Sequence, residues 1–217
     1  MQNTKDSVVV LLSGSGSNFQ AIIDASKNNE LDIKIKAAIS NTPGVKGLER
    51  ANRENIPSKV INNNDYSSRS KFEKSLLSEI KKYSPKYIIL AGFMRVLSSE
   101  FIDNFNGVIL NIHPSLLPKF PGLNTHKRAL EANEEWHGCT VHIVTKELDA
   151  GPPIIQCRVP IKKDDDDRLL ASRVLIAEHL IYKKAIKLML TKQLIYRDNK
   201  LISLNEDLIT PIQITLE

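Results

Sequence analysis

The sequence predicts an α/β protein built as one mostly parallel, twisted sheet with helices on both faces and antiparallel edge strands in its C-terminal half. Three observations lead there. Apolar runs of strand length recur at Ser7–Ser13, Ile33–Ser40, Tyr87–Gly92 and Val108–Ile112, and continuous runs of this kind mark strands buried on both faces. Segments with apolar residues at helical spacing separate most of them, the alternation of a covered parallel sheet. Further on, Cys139–Val144 and Ile154–Pro160 are strand-like runs joined by a turn containing Gly151-Pro152-Pro153, which suggests an antiparallel edge.

Taken in order, Ser7–Ser13 ends in a Gly/Ser turn, and Asn18–Asn28 brings Phe19, Ile22 and Ile23 onto one helical face. Ile33–Ser40 is a strand, Gly44–Asn55 a helix and Pro57–Ile61 a short strand. Arg69–Tyr83 is a helix with Phe72, Leu76, Leu77 and Ile80 on one side. Asp167 to Leu190 is the longest helical stretch; Leu170, Val174, Ile181, Ala185 and Leu188 form its stripe, interrupted by the charged Glu178. The acidic run Asp164–Asp167 suits a solvated helix start, where carboxylates meet free N–H groups and the positive dipole end. After Lys192 the chain is short and turn-rich, consistent with an edge hairpin. Fraying is expected at Met1–Lys5 and near Glu217.

Composition narrows the functional classes. A chain of 217 residues, 41% hydrophobic and 25% charged, is enough for one well-buried core and not comfortably for two. No apolar run approaches the roughly 20 residues of a membrane span, and the N-terminus is a strand and a Gly turn, not a signal peptide. Cys139 and Cys157 are the only cysteines, too few for a disulfide scaffold or a cysteine-rich metal site. A cytoplasmic protein without membrane association or metal is therefore expected. The net charge of +5 is spread along the chain with no basic block interleaved with aromatics, so small anionic ligands, not nucleic acid, are the expected partners.

Two places carry candidate chemistry. Ser13-Gly14-Ser15-Gly16-Ser17-Asn18 follows a strand and opens a helix; glycines admit a ligand close to the backbone, and unpaired N–H groups at a helix start favour an anion. Phe19 stands where a dinucleotide fingerprint needs a third glycine, and no Gly-Lys-Ser/Thr follows. A phosphomonoester fits better than a dinucleotide or nucleoside triphosphate; a tight turn without a ligand uses the same residues. The second place is Asn111-Ile112-His113-Pro114-Ser115 at the end of a strand. Side chains two apart share a side, Pro114 keeps His113 extended, and ligands gather at strand C-terminal ends in open α/β sheets. An amide and an imidazole together can stabilise an oxyanion, although a satisfied polar cluster has the same appearance. Asp149, in the tight Glu147–Gly151 loop, can reach inward and hold His113 protonated and in one tautomer. Glu178 needs a partner if buried, and a substrate amine is one. Ala91–Leu97 offers an apolar wall, backbone hydrogen bonds and one cation, suited to a flat heteroaromatic ligand. His126 follows the proline loop and can approach Asn111 and His113; His137 and His142 read as surface or strand residues.

The motifs Ser-Gly-Ser-Gly-Ser-Asn, Ala-Gly-Phe-Met-Arg-Val-Leu, Asn-Ile-His-Pro-Ser-Leu-Leu-Pro and Glu-Leu-Asp-Ala-Gly-Pro, in this order and spacing, resemble the phosphoribosylglycinamide formyltransferases (glycinamide ribonucleotide transformylases) of the folate-dependent formyltransferase family. The resemblance covers roughly Val8 to Leu190. It implies a Rossmann-like formyltransferase fold and transfer of a formyl group from 10-formyltetrahydrofolate, as co-substrate, to the amine of glycinamide ribonucleotide in de novo purine biosynthesis. It implies Asn111, His113 and Asp149 as the catalytic three. Gly16, Ser17, Asn18, Phe19 and Gln20 match the ribonucleotide phosphate site, and Leu175, Ile176, Ala177 and Glu178 the glycinamide end. Arg69, Met94, Arg95, Val96 and Leu97 match folate contacts, as do Asn111 and the loop Thr145, Lys146, Glu147, Leu148 and Asp149. One formyltransferase domain is expected over 1–217, with a ribonucleotide-binding half at 6–110, a catalytic and folate-binding half at 111–190 and a C-terminal hairpin at 191–217; it would act as a monomer or homodimer. The rivals are 10-formyltetrahydrofolate deformylase, with water as acceptor, and methionyl-tRNA formyltransferase. A non-catalytic nucleotide-binding module is a third, but it leaves Asn111, His113 and Asp149 without a purpose.

Overall fold

Ten strands and six α-helices follow one another along the chain in the computed structural model, which describes residues 5–205 and 208–216. Contacts divide the chain into two compact units, Met1–Leu110 and Asn111–Glu217. In the first, β1 (Asp6–Leu12), α1 (Ser17–Lys27), β2 (Ile33–Ser40), α2 (Lys46–Arg53) and β3 (Ser58–Val60) alternate, followed by α3 (Arg69–Lys82), β4 (Tyr87–Leu90) and α4 (Ser99–Asn104). The strands lie in the order β4-β1-β2-β3, all parallel. β1 sits between two neighbours, so Val8 to Leu12 are entirely buried, which explains why that run shows no polar alternation.

Strand β5 (Val108–His113) begins in the first unit and ends in the second. The second unit continues with α5 (Thr125–Glu131), β6 (Trp136–Ile143), β7 (Pro153–Pro160) and α6 (Asp167–Leu190), then β8 (Leu194–Arg197), β9 (Lys200–Ser203) and β10 (Ile212–Thr215). β6 and β7 are antiparallel, with Cys139 opposite Cys157 as free buried thiols. The expected fold class holds: eight of the strands form a mostly parallel sheet with an antiparallel pair in its second half.

The C-terminal segment is arranged differently from expectation. A hairpin forms after Lys192, but β8 and β9 pair with each other in a separate two-stranded sheet. It is β10 that lies beside β7, parallel to it, so the antiparallel pair is not outermost. Of the fraying expected at Met1–Lys5 and near Glu217, Met1–Thr4 and Glu217 lie outside the described residues. Helices α4 and α5 have no counterpart in the sequence reading because six or seven residues are too short for a clear apolar period.

Helix ends follow their capping residues. Asp166 caps α6 by accepting from Leu169 N at 2.7 Å, Ser68 caps α3 through Lys71 N and Ser98 caps α4 through Phe101 N. Within the acidic run, Asp165 pairs with Arg173 through both guanidinium Nη atoms, and that bond holds the Asp165 carboxyl below its usual range. Among the described residues no helix is long and apolar enough to cross a membrane. The α3 stripe is buried as its spacing predicts, and Phe72 meets the Tyr66 ring edge-on at 5.9 Å between centroids. Replacing Phe72 by Ala should therefore cost about 3–5 kcal/mol, seen as a lowered urea midpoint at unchanged slope.

Candidate active site

Asn111 and His113 lie at the C-terminal end of strand β5, before Pro114 leaves the sheet. The proline loop then folds back on the second unit. Thr140 organises it: its hydroxyl donates to Ser115 O at 2.7 Å and accepts from Leu117 N at 3.1 Å. Gln156 adds a bond to Leu117 O at 2.7 Å. This return places the Phe120 carbonyl 3.0 Å from His113 Nε2. A carbonyl only accepts, so Nε2 carries a proton.

On the other side of the ring stands Asp149. The Glu147–Gly151 turn puts Asp149 in the left-handed region at φ 51, and Gly151 is required there because a Cβ would lie 1.9 Å from Ile143 O. The Asp149 side chain, about a tenth exposed, accepts from Gly122 N at 2.9 Å; Oδ2 lies 3.5 Å from His113 Nδ1 and Oδ1 3.8 Å from His142 Nε2. The His113 ring thus stands between the Phe120 carbonyl at one nitrogen and the Asp149 carboxylate at the other.

His142, expected to be a surface or strand residue, is a strand residue; it lies buried in β6, and what was not foreseen is that it belongs to this cluster. Its Nδ1 is 2.9 Å from Ile143 O, so that nitrogen holds the proton. Burial keeps the ring below its usual pKa, against the opposing influence of the Ile143 carbonyl and Asp149. The Nε2 lone pair of the neutral ring then accepts from Asn111 Nδ2 at 3.1 Å. One amide N–H of Asn111 is thereby committed, which fixes the orientation of the amide. Sequence reasoning missed His142 because a histidine inside an apolar strand carries no signal of what it faces.

His137 is likewise a β6 residue, as one of the two expectations had it, and its ring is buried. One ring nitrogen donates to the Pro114 carbonyl, and Nε2 faces His126 Nδ1 at 3.1 Å. His126 thus reaches the proline loop through His137. Burial pushes His137 down to about 4, with the charge of a protonated His126 acting in the same direction, and burial also lowers His126.

In the first unit, the glycine loop turns into α1 at Gly16, whose φ of 69 and 2.6 Å approach from a built Cβ to Gly47 Cα admit no side chain. No side chain caps this helix start. Arg50 of α2, which sequence reasoning did not single out, braces the loop by donating to Ser15 O at 2.9 Å and Gln20 Oε1 at 3.0 Å. Ser17 opens the helix and Asn18 is largely buried beside it. The Phe19 side chain is wholly in the core, so any part it plays at the loop belongs to its backbone. Ser13 ties the loop to the expected folate segment: its hydroxyl donates to Asn41 Oδ1 at 2.5 Å and accepts from Met94 N at 2.8 Å. Met94, Arg95 and Val96 are exposed and Leu97 is buried. Arg69 donates to Val96 O at 2.7 Å and to Glu73 at 2.9 Å.

Along α6, Ala177 and Glu178 face inward; burial raises the Cys139 thiol pKa, and the Glu178 charge acts in the same direction. Ile176 is 63% exposed on the other side of the helix, so its side chain does not join Glu178; Leu175 is intermediate. Of the Thr145–Asp149 loop, Lys146, Glu147 and Leu148 are exposed, and Asp149 alone turns into the histidine cluster. Among the described residues no three His, Cys, Asp or Glu side chains are placed to hold a metal ion.

The profile of the formyl transferase family matches residues 6–186. The chain belongs to the formyl transferase family. Phosphoribosylglycinamide formyltransferase of Escherichia coli (strain K12) is 47% identical to this formyl transferase over 179 residues, 82% of this chain and 84% of that one. Among solved structures, phosphoribosylglycinamide formyltransferase from Coxiella burnetii superposes with a TM-score of 0.86 at 45% identity, covering 91% of this chain and 93% of that chain. Glycinamide ribonucleotide transformylase 1 from Symbiobacterium toebii gives 0.89 at 37% identity, over 94% and 96%.

The buried histidines of this formyl transferase make its stability pH-dependent with a definite sign. His137 stays neutral in the fold down to about 4, while the unfolded chain protonates it near 6.5. Its contribution is whole above the unfolded value and is lost as pH falls through this window, by of order 3 kcal/mol. Urea midpoints measured from pH 7 to pH 4.5 should fall, and the fall should be shallower in His137→Asn.

Proposed function

We propose that this formyl transferase passes the formyl group of 10-formyltetrahydrofolate to the amine of glycinamide ribonucleotide, giving formylglycinamide ribonucleotide and tetrahydrofolate in de novo purine biosynthesis in the cytoplasm. The observation that carries the reading is the Asp149 carboxylate 3.5 Å from His113, beside an Asn111 amide already oriented by neutral His142. The names of the relatives support a ribonucleotide amine, not water, as acceptor, so the deformylase alternative is not favoured.

In this reading the amine lone pair of the ribonucleotide attacks the formyl carbon, and the carbonyl electron pair moves onto oxygen. The second N–H of Asn111 and the charge of His113 stabilise that oxyanion. The His113 Nε2 proton, given to Phe120 O in the resting protein, exchanges one oxygen acceptor for another when the oxyanion forms. Asp149 holds the ring during the exchange. Collapse breaks the carbon–N10 bond, and the proton released by the amine ends on the folate nitrogen, directly or through His113 or a water. Neither a covalent enzyme intermediate nor a metal is required. Gly16 to Gln20 take the phosphate, the helix start and the Arg50-braced loop favouring an anion; Glu178 takes the glycinamide end. Arg69, Met94–Leu97 and the Thr145–Asp149 loop take the folate. Much of the acceleration comes from orientation of two bound reactants.

The first experiment is product formation from the formyl donor with and without glycinamide ribonucleotide. Acceptor-dependent release of tetrahydrofolate is expected; release at the same rate without the ribonucleotide sinks transfer in favour of hydrolysis. His113→Ala should lower kcat by about two to four orders of magnitude with little change in ligand dissociation constants. Asn111→Asp, which sets a carboxylate against the oxyanion, should be at least as damaging; an active variant would show that the amide is only structural.

A further inference from the structure

Helix α3 carries a buried charge that the sequence reading did not use. Glu73 is 5% exposed, and both of its oxygens are occupied. Oε1 accepts from Arg69 Nε at 2.9 Å and from Ser98 N at 3.0 Å; Oε2 accepts the Ser98 hydroxyl in a short bond. Arg69 closes the ring by donating from Nη2 to Val96 O at 2.7 Å. The Ser98 hydroxyl also accepts from Phe101 N at 3.1 Å, so the same serine starts α4.

An exposed Arg–Glu pair one helical turn apart contributes little to stability. This pair differs because its carboxylate is buried while the guanidinium side chain remains half exposed. The arginine is held at its inner edge by two bonds, Nε–H and one N–H of Nη2. Of the five donors of a guanidinium, three are left on the outer edge. The segment that Arg69 bonds through Val96 O also carries Met94 and Val96, exposed at 68% and 53%. A fixed cation with an apolar step next to it suits an anion attached to a flat apolar body. Freezing the long arginine side chain before binding removes part of the entropic cost of using it.

We infer that Glu73 is a positioning residue that holds Arg69 and the Val96–Ser98 segment ready to receive a carboxylate of the formyl donor. The inference rests on the folate reading above, and the glutamate tail is where that donor carries its carboxylates. Arginine recognises a carboxylate by a planar fork, so the orientation of the guanidinium, set by Glu73, governs donor affinity and not the chemistry at the formyl carbon. A residue that merely latched α4 would affect every ligand alike.

The test compares 10-formyltetrahydrofolate with the same donor truncated before the glutamate, 10-formyltetrahydropteroate, in steady-state kinetics. Glu73→Gln keeps the shape and removes the charge. It should raise KM for the full donor about fivefold to tenfold, leave kcat within about twofold, and leave both the ribonucleotide KM and the truncated-donor KM unchanged. In an Arg69→Ala background the same substitution should add nothing to KM. An equal KM rise with both donors, a rise that persists without Arg69, or no rise with the full donor each overturns the inference. Should Glu73→Gln fail to fold, Ser98→Ala keeps the charge pair while removing the hydroxyl's bond to Oε2 and its cap on α4; it should show the same donor-selective shift at about twofold, and an unselective shift overturns the inference equally. If the unaltered protein transfers formyl from neither donor, the folate reading itself fails, an outcome distinct from all of these.

Discussion

Polar side chains buried in an apolar surrounding cost several kcal/mol each unless every donor and acceptor finds a partner, and that constraint arranges the chemistry of residues 111–217. His142 must give one proton to Ile143 O and must stay neutral, so its other nitrogen has to accept; Asn111 supplies the N–H. His113 must donate to Phe120 O, and its second nitrogen faces Asp149. Each assignment leaves the next with one choice. The cluster is therefore oriented before any ligand arrives, which is the condition for electrostatic stabilisation without reorganisation.

Backbone geometry enforces the same arrangement. Asp149 reaches its histidines because the turn carrying it adopts a left-handed residue and then passes too close to Ile143 for any side chain at Gly151. Phe120 offers its carbonyl to His113 from another left-handed residue. These conformations cost energy in isolation, and the bonds of Thr140, Gln156 and Gly122 hold the flanking segments in place.

The first unit solves a different problem, that of holding exposed loops still. Ser13 bonds both Asn41 and Met94 N, so the glycine loop and the segment after β4 are tied to each other. Arg50 braces the start of α1, and Glu73 fastens Arg69 to the Val96–Ser98 segment. In each case a polar side chain from a helix or strand ties down a loop that has few apolar contacts of its own. Rigid support of this kind is what a binding loop needs if orientation is to contribute to rate.

The buried parallel strands, the long α6 and the Glu178 interruption of its stripe were legible in the amino-acid sequence because each is a periodic or continuous pattern of apolar residues. So were Asn111 and His113 as a pair, through the alternation of a strand, and the family, through its motifs. Glu73 lies at helical spacing with Leu77 and Ile80 and carried the same kind of signal as Glu178. His142, His137 and Arg50 carried none, since their importance lies in residues far away in the chain that fold against them. Nor did local pattern say that the C-terminal hairpin would pair with itself while β10 took the place beside β7. Sequence by itself determined which segments would be buried and which residue types would stand at the strand end, because hydrophobic period is a local property. Only the tertiary structure decided which polar groups face each other, and hence the tautomers and the direction of every donor around His113, because hydrogen-bond satisfaction depends on neighbours that the chain brings together only when folded.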